Sequence, residues 1–185
     1  MRRLIALVGL AWPLLATAQT PSTCHIAPDS SAHAGRLRGS AVGFSVDRFV
    51  PVGVPLGAGL TTVSVHLTSL TPGATGLDAA IGVWPQGLRS EGAILMAADF
   101  SAAYNVSAPG ATLLLKAGPS ALLGVGGGGG WGGAIGGHVG ASAIARLNAG
   151  LGLRADVVEH YYIGTGVAFR AMSVGLGITS LKIDR

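Results

Sequence analysis

Apolar and polar residues alternate along much of this chain with a period of two. In the clearest segment, Thr61–Thr68, every second residue is Val or Leu, and the residues between them are Thr, Ser or His. Successive side chains of a β-strand point to opposite faces of its sheet, so this period predicts a strand. The same alternation predicts eight strands, and Leu114 and Ile144 are apolar exceptions that face inward. The predicted strands are Gly39–Phe49, Thr61–Thr68, Gly76–Trp84, Ala93–Asn105, Ala111–Leu123, Gly137–Leu147, Leu151–Val158 and Met172–Thr179.

The predicted connections are alternately long and short. The short ones carry turn residues, among them Pro72-Gly73 and Pro109-Gly110. Outer-membrane β-barrels have short periplasmic turns and longer external loops, so we expect the first strand to run outward and both chain ends to be periplasmic. We also expect the glycine-rich segment Gly124–Gly137 to be a mobile external loop. The predicted long connections are Val50–Gly59, Pro85–Gly92, Gly124–Gly136 and Glu159–Ala171, and the short ones are Thr71–Thr75, Val106–Gly110 and Asn148–Gly150.

The composition favours a membrane β-sheet over a soluble one. The chain is 49% hydrophobic and 11% charged, whereas an average soluble domain is about a quarter charged. Beyond the N-terminal segment, no apolar run approaches the ~18 residues of a spanning helix. The closed barrel is the other structure that satisfies every backbone group in lipid. We therefore predict an all-β fold, a single antiparallel up-and-down transmembrane β-barrel of about eight strands.

The N-terminal residues have the pattern of a secretory signal. Arg2 and Arg3 precede the apolar run Leu4–Leu15, and Ala16–Ala18 has the small residues of a cleavage site. Cys24 is the single cysteine, so we expect a free thiol and no intrachain disulfide. We divide the chain into a signal peptide, a flexible periplasmic lead, a β-barrel and a C-terminal tail, which are residues 1–18, 19–38, 39–182 and 183–185.

Charged residues within the predicted strands share one face. A Lys or Arg facing lipid at mid-depth costs about 2–4 kcal/mol, so these charges must face the lumen of a membrane barrel. Four acids and three bases nearly cancel, and an eight-stranded barrel is narrow enough for side chains to fill. We predict a structural network of salt bridges and hydrogen bonds across the lumen. Its members are Asp47, Asp78, Asp99, Lys116, Arg146, Arg154 and Asp156.

No pattern in the chain predicts a catalytic, cofactor or metal site. The histidines lack a metal-ligand spacing such as H-x-x-x-H. His138, Ser142 and Asp99 could approach one another inside a barrel, but a narrow lumen brings many such trios together by chance. The basic residues are scattered, which excludes a nucleic-acid partner.

Five aromatic residues lie near predicted strand ends. They fit either an interfacial girdle or ordinary loop packing, and the sequence leaves both interpretations open. These residues are Trp84, Tyr104, Tyr161, Tyr162 and Phe169.

With its strand count, alternation and loop asymmetry, the chain resembles the small bacterial outer-membrane β-barrels, including the eight-stranded transmembrane domain of OmpA. Gly152–Asp156 leading into Tyr161-Tyr162 is similar to the late strands of such barrels. The resemblance implies a location in the outer membrane, with its lipids and the assembly machinery as partners. Such barrels commonly finish with an aromatic residue, whereas this chain ends Leu181–Arg185.

We expect a non-enzymatic barrel with a structural or surface-interaction role, a lumen largely filled by side chains, and long loops available to an extracellular partner. Two alternatives remain. One is a barrel enzyme that modifies an envelope lipid, with His138 or Ser142 as candidate residues. The other is a soluble periplasmic lipocalin-like barrel, which needs an apolar interior and a polar exterior.

Overall fold

A computed structural model describes residues 39–53, 57, 59–71, 73–85, 94–126, 130–164 and 167–183. The predicted signal peptide and periplasmic lead, Cys24 and residues 184–185 of the predicted tail lie outside this part of the chain. Its eight strands are β1 (Gly39–Pro51), β2 (Leu60–Leu70), β3 (Thr75–Val83), β4 (Ile94–Ala108), β5 (Ala111–Val125), β6 (Trp131–Arg146), β7 (Leu151–Gly164) and β8 (Val167–Ile183).

Each strand pairs antiparallel with the next, and β8 pairs with β1 to close a barrel. The predicted all-β, up-and-down barrel of eight strands is therefore confirmed. Among the described residues, no helix is long and apolar enough to cross a membrane.

The alternation in the sequence becomes two faces of the barrel wall. On β1, Phe44 and Val46 are each 56% exposed, whereas Ser45 and Asp47 between them are buried. Leu114 and Ile144, the two predicted inward exceptions, are completely buried. The outer wall is thus lined by large apolar side chains, and the interior carries most of the charged and hydroxyl groups.

The strands are staggered around the barrel. Following paired residues once around the wall leads from Ala111 on β5 back to Ala121 on the same strand, which is a shift of ten positions. A shift of this size tilts the strands by roughly 35–45° from the barrel axis. The path passes through Ala111, Ala145, Leu153, Ile178, Phe44, Val65, Ile81, Ala98 and Ala121.

Two of the four predicted long connections were wrong. Most of Gly124–Gly136 is strand, because β5 continues to Val125 and β6 begins at Trp131. Most of Glu159–Ala171 is also strand, and only residues 165–166 separate β7 from β8. Glycine has no side chain with which to show a two-residue period, so the pattern could not report the extensions of β5 and β6. The connections from β1 to β2 and from β3 to β4 are long, as predicted.

Glycine allows two kinds of tight geometry in this wall. Gly110, in the turn between β4 and β5, has a φ of 73°, which L side chains rarely adopt. Gly177, in the middle of β8, has an ordinary φ, but a Cβ built there would lie 2.0 Å from the carbonyl oxygen of Phe44. Glycine at this position therefore lets β8 approach β1 closely and lets the small barrel curve.

The seams between neighbouring strands differ in length. β5 and β6 share fifteen paired positions, whereas β2 and β3 share only six, from Val63 to Thr68. The β4–β5 ladder has no paired positions between Asp99–Ser120 and Ala102–Ala117, and the gap on β5 contains Pro119, which has no N–H to donate. The wall is therefore closed but not uniform.

Candidate functional site: the barrel interior

Four charged side chains meet near the short-turn end of the lumen. Arg154 donates to Asp156 over 2.8 Å through Nε and to Asp78 over 3.0 Å through Nη2. Lys116 Nζ lies 3.0 Å from an oxygen of each of the same two carboxylates. We call these residues (Asp78, Lys116, Arg154 and Asp156) the ionic quartet. Their strands β3, β5 and β7 lie on different sides of the barrel, so the quartet ties opposite walls together.

Hydroxyl groups complete the hydrogen bonding of the quartet. Thr68 accepts a 2.7 Å bond from Arg154 Nη1 and donates to Asp78. Ser142 donates to Asp156 and accepts from Arg154. All four charged residues are at least 94% buried. Two acids balance two bases here, which is the arrangement that makes buried charge tolerable.

Asp47 lies further along the lumen, towards the long connections. Its carboxylate accepts hydrogen bonds from Ser45, at 2.9 Å to Oδ1, and from Ser64. Ser45 also lies 2.7 Å from Nε2 of His66. Because the Ser45 proton goes to the carboxylate, His66 Nε2 must be the donor to Ser45, and in a neutral ring Nδ1 is then a bare acceptor. That buried Nδ1 has no hydrogen-bond partner.

Asp99 has a similar environment on the other side of the lumen. Ser120 donates to it over 2.6 Å, and His138 Nδ1 lies 2.8 Å from the same hydroxyl. On its other edge, His138 Nε2 lies 2.6 Å from Ser101. The nearest ring nitrogens of His138 and His160 are both 3.7 Å from Asp99 Oδ1, which is beyond hydrogen-bond distance.

We call Asp47, Asp99, His66, His138 and His160 the carboxylate–histidine region. It contains a cavity of about 50 Å³. The cavity wall includes Asp47, Asp99, His66 and His160, the hydroxyl residues Thr62, Ser64 and Ser173, and the quartet residues Lys116 and Asp156. Small residues on β3 and β4 leave this space open, because Ala80, Gly82 and Ala97 also line it.

Apolar side chains lie on both sides of these polar layers. At the short-turn end, six buried residues form an apolar floor: Ala41, Leu70, Ala103, Leu114, Ile144 and Leu181. At the other end, Phe49, Ala134, Tyr162 and Ala171 form an apolar cap, against which Leu60, Leu122 and Phe169 pack. The inward side chains of β7 pass through the layers in order, from Arg154 and Asp156 to His160 and Tyr162.

The cap changes the interpretation of two aromatic residues. Tyr162 is completely buried inside the barrel, where its ring stacks on His160 with centroids 5.6 Å apart. Phe169 packs on Tyr162 at 5.2 Å. Tyr104 and Tyr161, by contrast, are exposed on the outer wall. Only part of the predicted aromatic set is therefore placed where a girdle could form.

One residue of the predicted lumen network lies apart from the others. Arg146 is exposed at the end of β6, where Nε donates to the carbonyl of Asn148 over 3.1 Å. The other six predicted residues line the lumen in two groups. Asp78, Lys116, Arg154 and Asp156 form the quartet, and Asp47 and Asp99 belong to the carboxylate–histidine region.

Sequence analysis missed charges on the outer wall. Arg48 follows Asp47 directly and so has outward parity, and it donates to Thr61 over 2.9 Å. Glu159 and Arg170, which fell within a predicted loop, form an ion pair between β7 and β8. Lys182 is exposed near the opposite end of β8. The parity rule could have found Arg48, but finding the Glu159–Arg170 pair required the true strand ends.

The trio of His138, Ser142 and Asp99 is not assembled. Ser142 bonds to the quartet, whereas His138 lies between Ser101 and Ser120. A Ser–His pair can in principle activate a hydroxyl. Here Ser101 is 1% exposed and His138 is 4% exposed, so both side chains are buried in the barrel. In the described part of the chain, no three His, Cys, Asp or Glu residues are grouped to hold a metal ion.

Comparisons with known proteins give the same architecture. No family model and no curated protein matches the chain. The crystal structure of Neisserial surface protein A (NspA) is 13% identical, with 77% of this chain and 96% of that chain covered and a TM-score of 0.56. Ail, the attachment invasion locus protein of Yersinia pestis, is 11% identical, covers 78% and 99% of the two chains, and has a TM-score of 0.50. At these identities the likeness concerns the fold, so the protein has the fold of an eight-stranded outer-membrane barrel.

Proposed function

We propose that this protein is a non-enzymatic outer-membrane barrel with a structural or surface-interaction role. The observation that carries the proposal is the division between an apolar outer wall and an interior that holds the paired charges. A lipocalin-like soluble barrel needs the reverse distribution, so it fits these residues poorly.

The proposed orientation places the short turns in the periplasm and the connections from β1 to β2 and from β3 to β4 outside the cell. The apolar wall then contacts outer-membrane lipid, and the assembly machinery inserts the chain. The long connections are the proposed contact surface for an extracellular partner. NspA and Ail are by name a surface protein and an attachment protein, and this role is in line with those names.

We also propose that the lumen does not conduct. The ionic quartet crosses it, and the apolar floor and cap lie on either side. In planar bilayers, purified protein should give no stepwise conductance beyond the level of empty detergent. Regular single-channel steps would contradict a closed lumen.

Fractionation tests the location itself. The protein should sediment with outer membranes, resist salt extraction and dissolve only in detergent. Recovery in the aqueous periplasmic extract would reject the proposal. For the enzymatic alternative, His138→Ala should leave envelope lipid composition unchanged, and loss of a lipid modification in that variant would establish an enzyme instead.

A further inference from the structure

We propose that a depression in the outer wall, centred on β4 and β5, is a binding site for one acyl chain of a membrane lipid. We call this depression, which surrounds Ala98 and Ala121, the outer hollow. Its volume is about 670 Å³. The site rests on the proposed function, in which the apolar wall contacts outer-membrane lipid, and it is one particular place within that contact.

The outer hollow arises from a row of paired residues that crosses four strands. Ala98 on β4 pairs with Ala121 on β5, and both side chains are exposed on the outer wall. The same row continues to Ile81 on β3, which is 54% exposed, and to Ile135 on β6, which is 73% exposed. Two short side chains between two long ones leave a space in the lipid-facing surface. The other large apolar residues that line it are Phe100 and Ile163.

The outer wall is built differently on β8, β1 and β2. There the paired outward residues Leu176, Val46 and Val63 are all large and exposed, so their side chains present an even surface to hydrocarbon. The outer hollow is therefore a feature of one sector of the wall. A lipid chain that contacts this sector can bury more of its surface than a chain on the even sector.

The surroundings of the outer hollow indicate an apolar occupant. The protein is an outer-membrane barrel, so the hollow is continuous with the lipid that covers the wall. Residues 117–145 include no Asp, Glu, Lys or Arg. Asp99 and Ser120 also border the hollow, but they are inward residues joined by a 2.6 Å hydrogen bond in the lumen. An unfilled space among apolar groups loses dispersion contacts, and a flexible chain of CH₂ groups restores them.

A second copy of this chain fits the outer hollow less well than a lipid chain. In a two-fold symmetric dimer the same patch of both subunits meets, so one concave surface would lie against another and the space would remain. The position also selects the leaflet. Ala121 and Ile135 are the chain neighbours of Leu122 and Ala134 in the apolar cap, so the bound chain belongs to the leaflet nearer the long connections.

The test measures binding of dimyristoyl phosphatidylglycerol to the purified barrel in detergent micelles, with native mass spectrometry to count bound lipids. The unaltered protein should bind one lipid saturably. Ala98→Leu/Ala121→Leu fills the outer hollow and should raise the Kd of that lipid about tenfold, which corresponds to the loss of about two buried CH₂ groups at about 0.8 kcal/mol each.

Ala143→Leu/Ala155→Leu is the matched control. These two alanines are also paired and outward-facing, on β6 and β7, and they do not line the outer hollow. The control should leave the Kd unchanged. The same Kd in the unaltered protein and in Ala98→Leu/Ala121→Leu would overturn the proposal, as would an equal rise in both double variants. Dimers of the unaltered protein that Ala98→Leu/Ala121→Leu abolishes would also overturn it, because the occupant would then be a second copy.

If Ala98→Leu/Ala121→Leu does not fold, NMR of the unaltered protein in nanodiscs of the same lipid decides. The methyl groups of Ala98 and Ala121 should show stronger nuclear Overhauser effects to the lipid chain than those of Ala143 and Ala155, and equal effects reject the site. Fractionation separates this failure from failure of the proposed function. A barrel without the lipid site still sediments with outer membranes, whereas a protein in the periplasmic extract contradicts both.

Discussion

The two polar layers of the lumen hold their carboxylates in different ways. In the ionic quartet, two carboxylates and two cations contact one another directly. In the carboxylate–histidine region, Asp47 and Asp99 accept hydrogen bonds from serine hydroxyls, and they line a cavity whose wall also includes Lys116 and Asp156. The same inward parity places all these residues, so the partners they meet across the barrel make the difference. The ionic quartet connects opposite walls of the barrel, and the carboxylate–histidine region lines a cavity.

The largest expected effect comes from removing the Arg154 guanidinium from the ionic quartet. Arg154→Ala leaves Asp78 and Asp156 with Lys116 as their single cation, and the loss of one partner from a buried pair costs about 3–5 kcal/mol. Urea unfolding in detergent micelles measures it. Arg170→Ala, which removes an exposed partner of Glu159, should cost about 0–1 kcal/mol. Similar costs for the two variants would mean that the quartet does not stabilise the barrel by connecting its opposite walls.

The two layers should also differ in their response to the same substitution. Asp78→Asn removes a carboxylate that two cations contact, and we expect a loss of about 3 kcal/mol. Asp47→Asn removes a carboxylate that contacts hydroxyls only. It should cost less than Asp78→Asn in the same urea unfolding assay, because the Asn oxygen can still accept the hydroxyl hydrogen bonds. A larger loss for Asp47→Asn than for Asp78→Asn would reverse the comparison.

An added arginine compares the outer wall with the carboxylate–histidine region. Val65→Arg points into lipid and should cost about 2–3 kcal/mol or block insertion. Thr62→Arg, on the same strand, places a guanidinium at the cavity near Asp47 and Asp99, so its cost should be smaller. Heat-modifiable migration on gels reports the folded fraction of each. Equal losses would contradict the assigned parity.

The smallest effect is expected at the apolar cap. Tyr162→Phe keeps the ring that stacks on His160 and removes a hydroxyl 3.3 Å from His160 Nδ1. A net cost of about 1 kcal/mol corresponds to one such hydrogen bond. Tyr162→Ala serves as the comparison in the same unfolding assay, and it should cost several times more because the ring is lost.

The outer wall and the positions of the strands could be predicted from alternation alone. Apolar side chains such as Val63 and Val65 recur at every second position because one face contacts hydrocarbon. The extensions of β5 and β6 could not be predicted, since Gly132, Gly133 and Gly136 have no side chain to alternate. Strand parity therefore describes the wall well only where the wall has side chains.

The pairing inside the lumen was less accessible to sequence analysis. Parity placed Asp78 and Arg154 on the inner face, but 76 residues separate them. Their contact depends on the ten-position stagger, which is a property of the closed sheet. The cavity depends on Ala80, Gly82 and Ala97, whose significance appears only when they face one another. The environment of Asp47 and Asp99 therefore required the three-dimensional structure.

The short seam between β2 and β3 has a consequence for how the wall fluctuates. It has six paired positions, and its inward residues Ser64, His66, Ala80 and Gly82 border the cavity. Fewer ladder bonds mean a lower free energy for local opening. We expect backbone amides on β2 and β3 to exchange with deuterium sooner than those on β5 and β6. A small solute would then reach the buried space through transient separation of these two strands, while the rest of the cylinder stays intact.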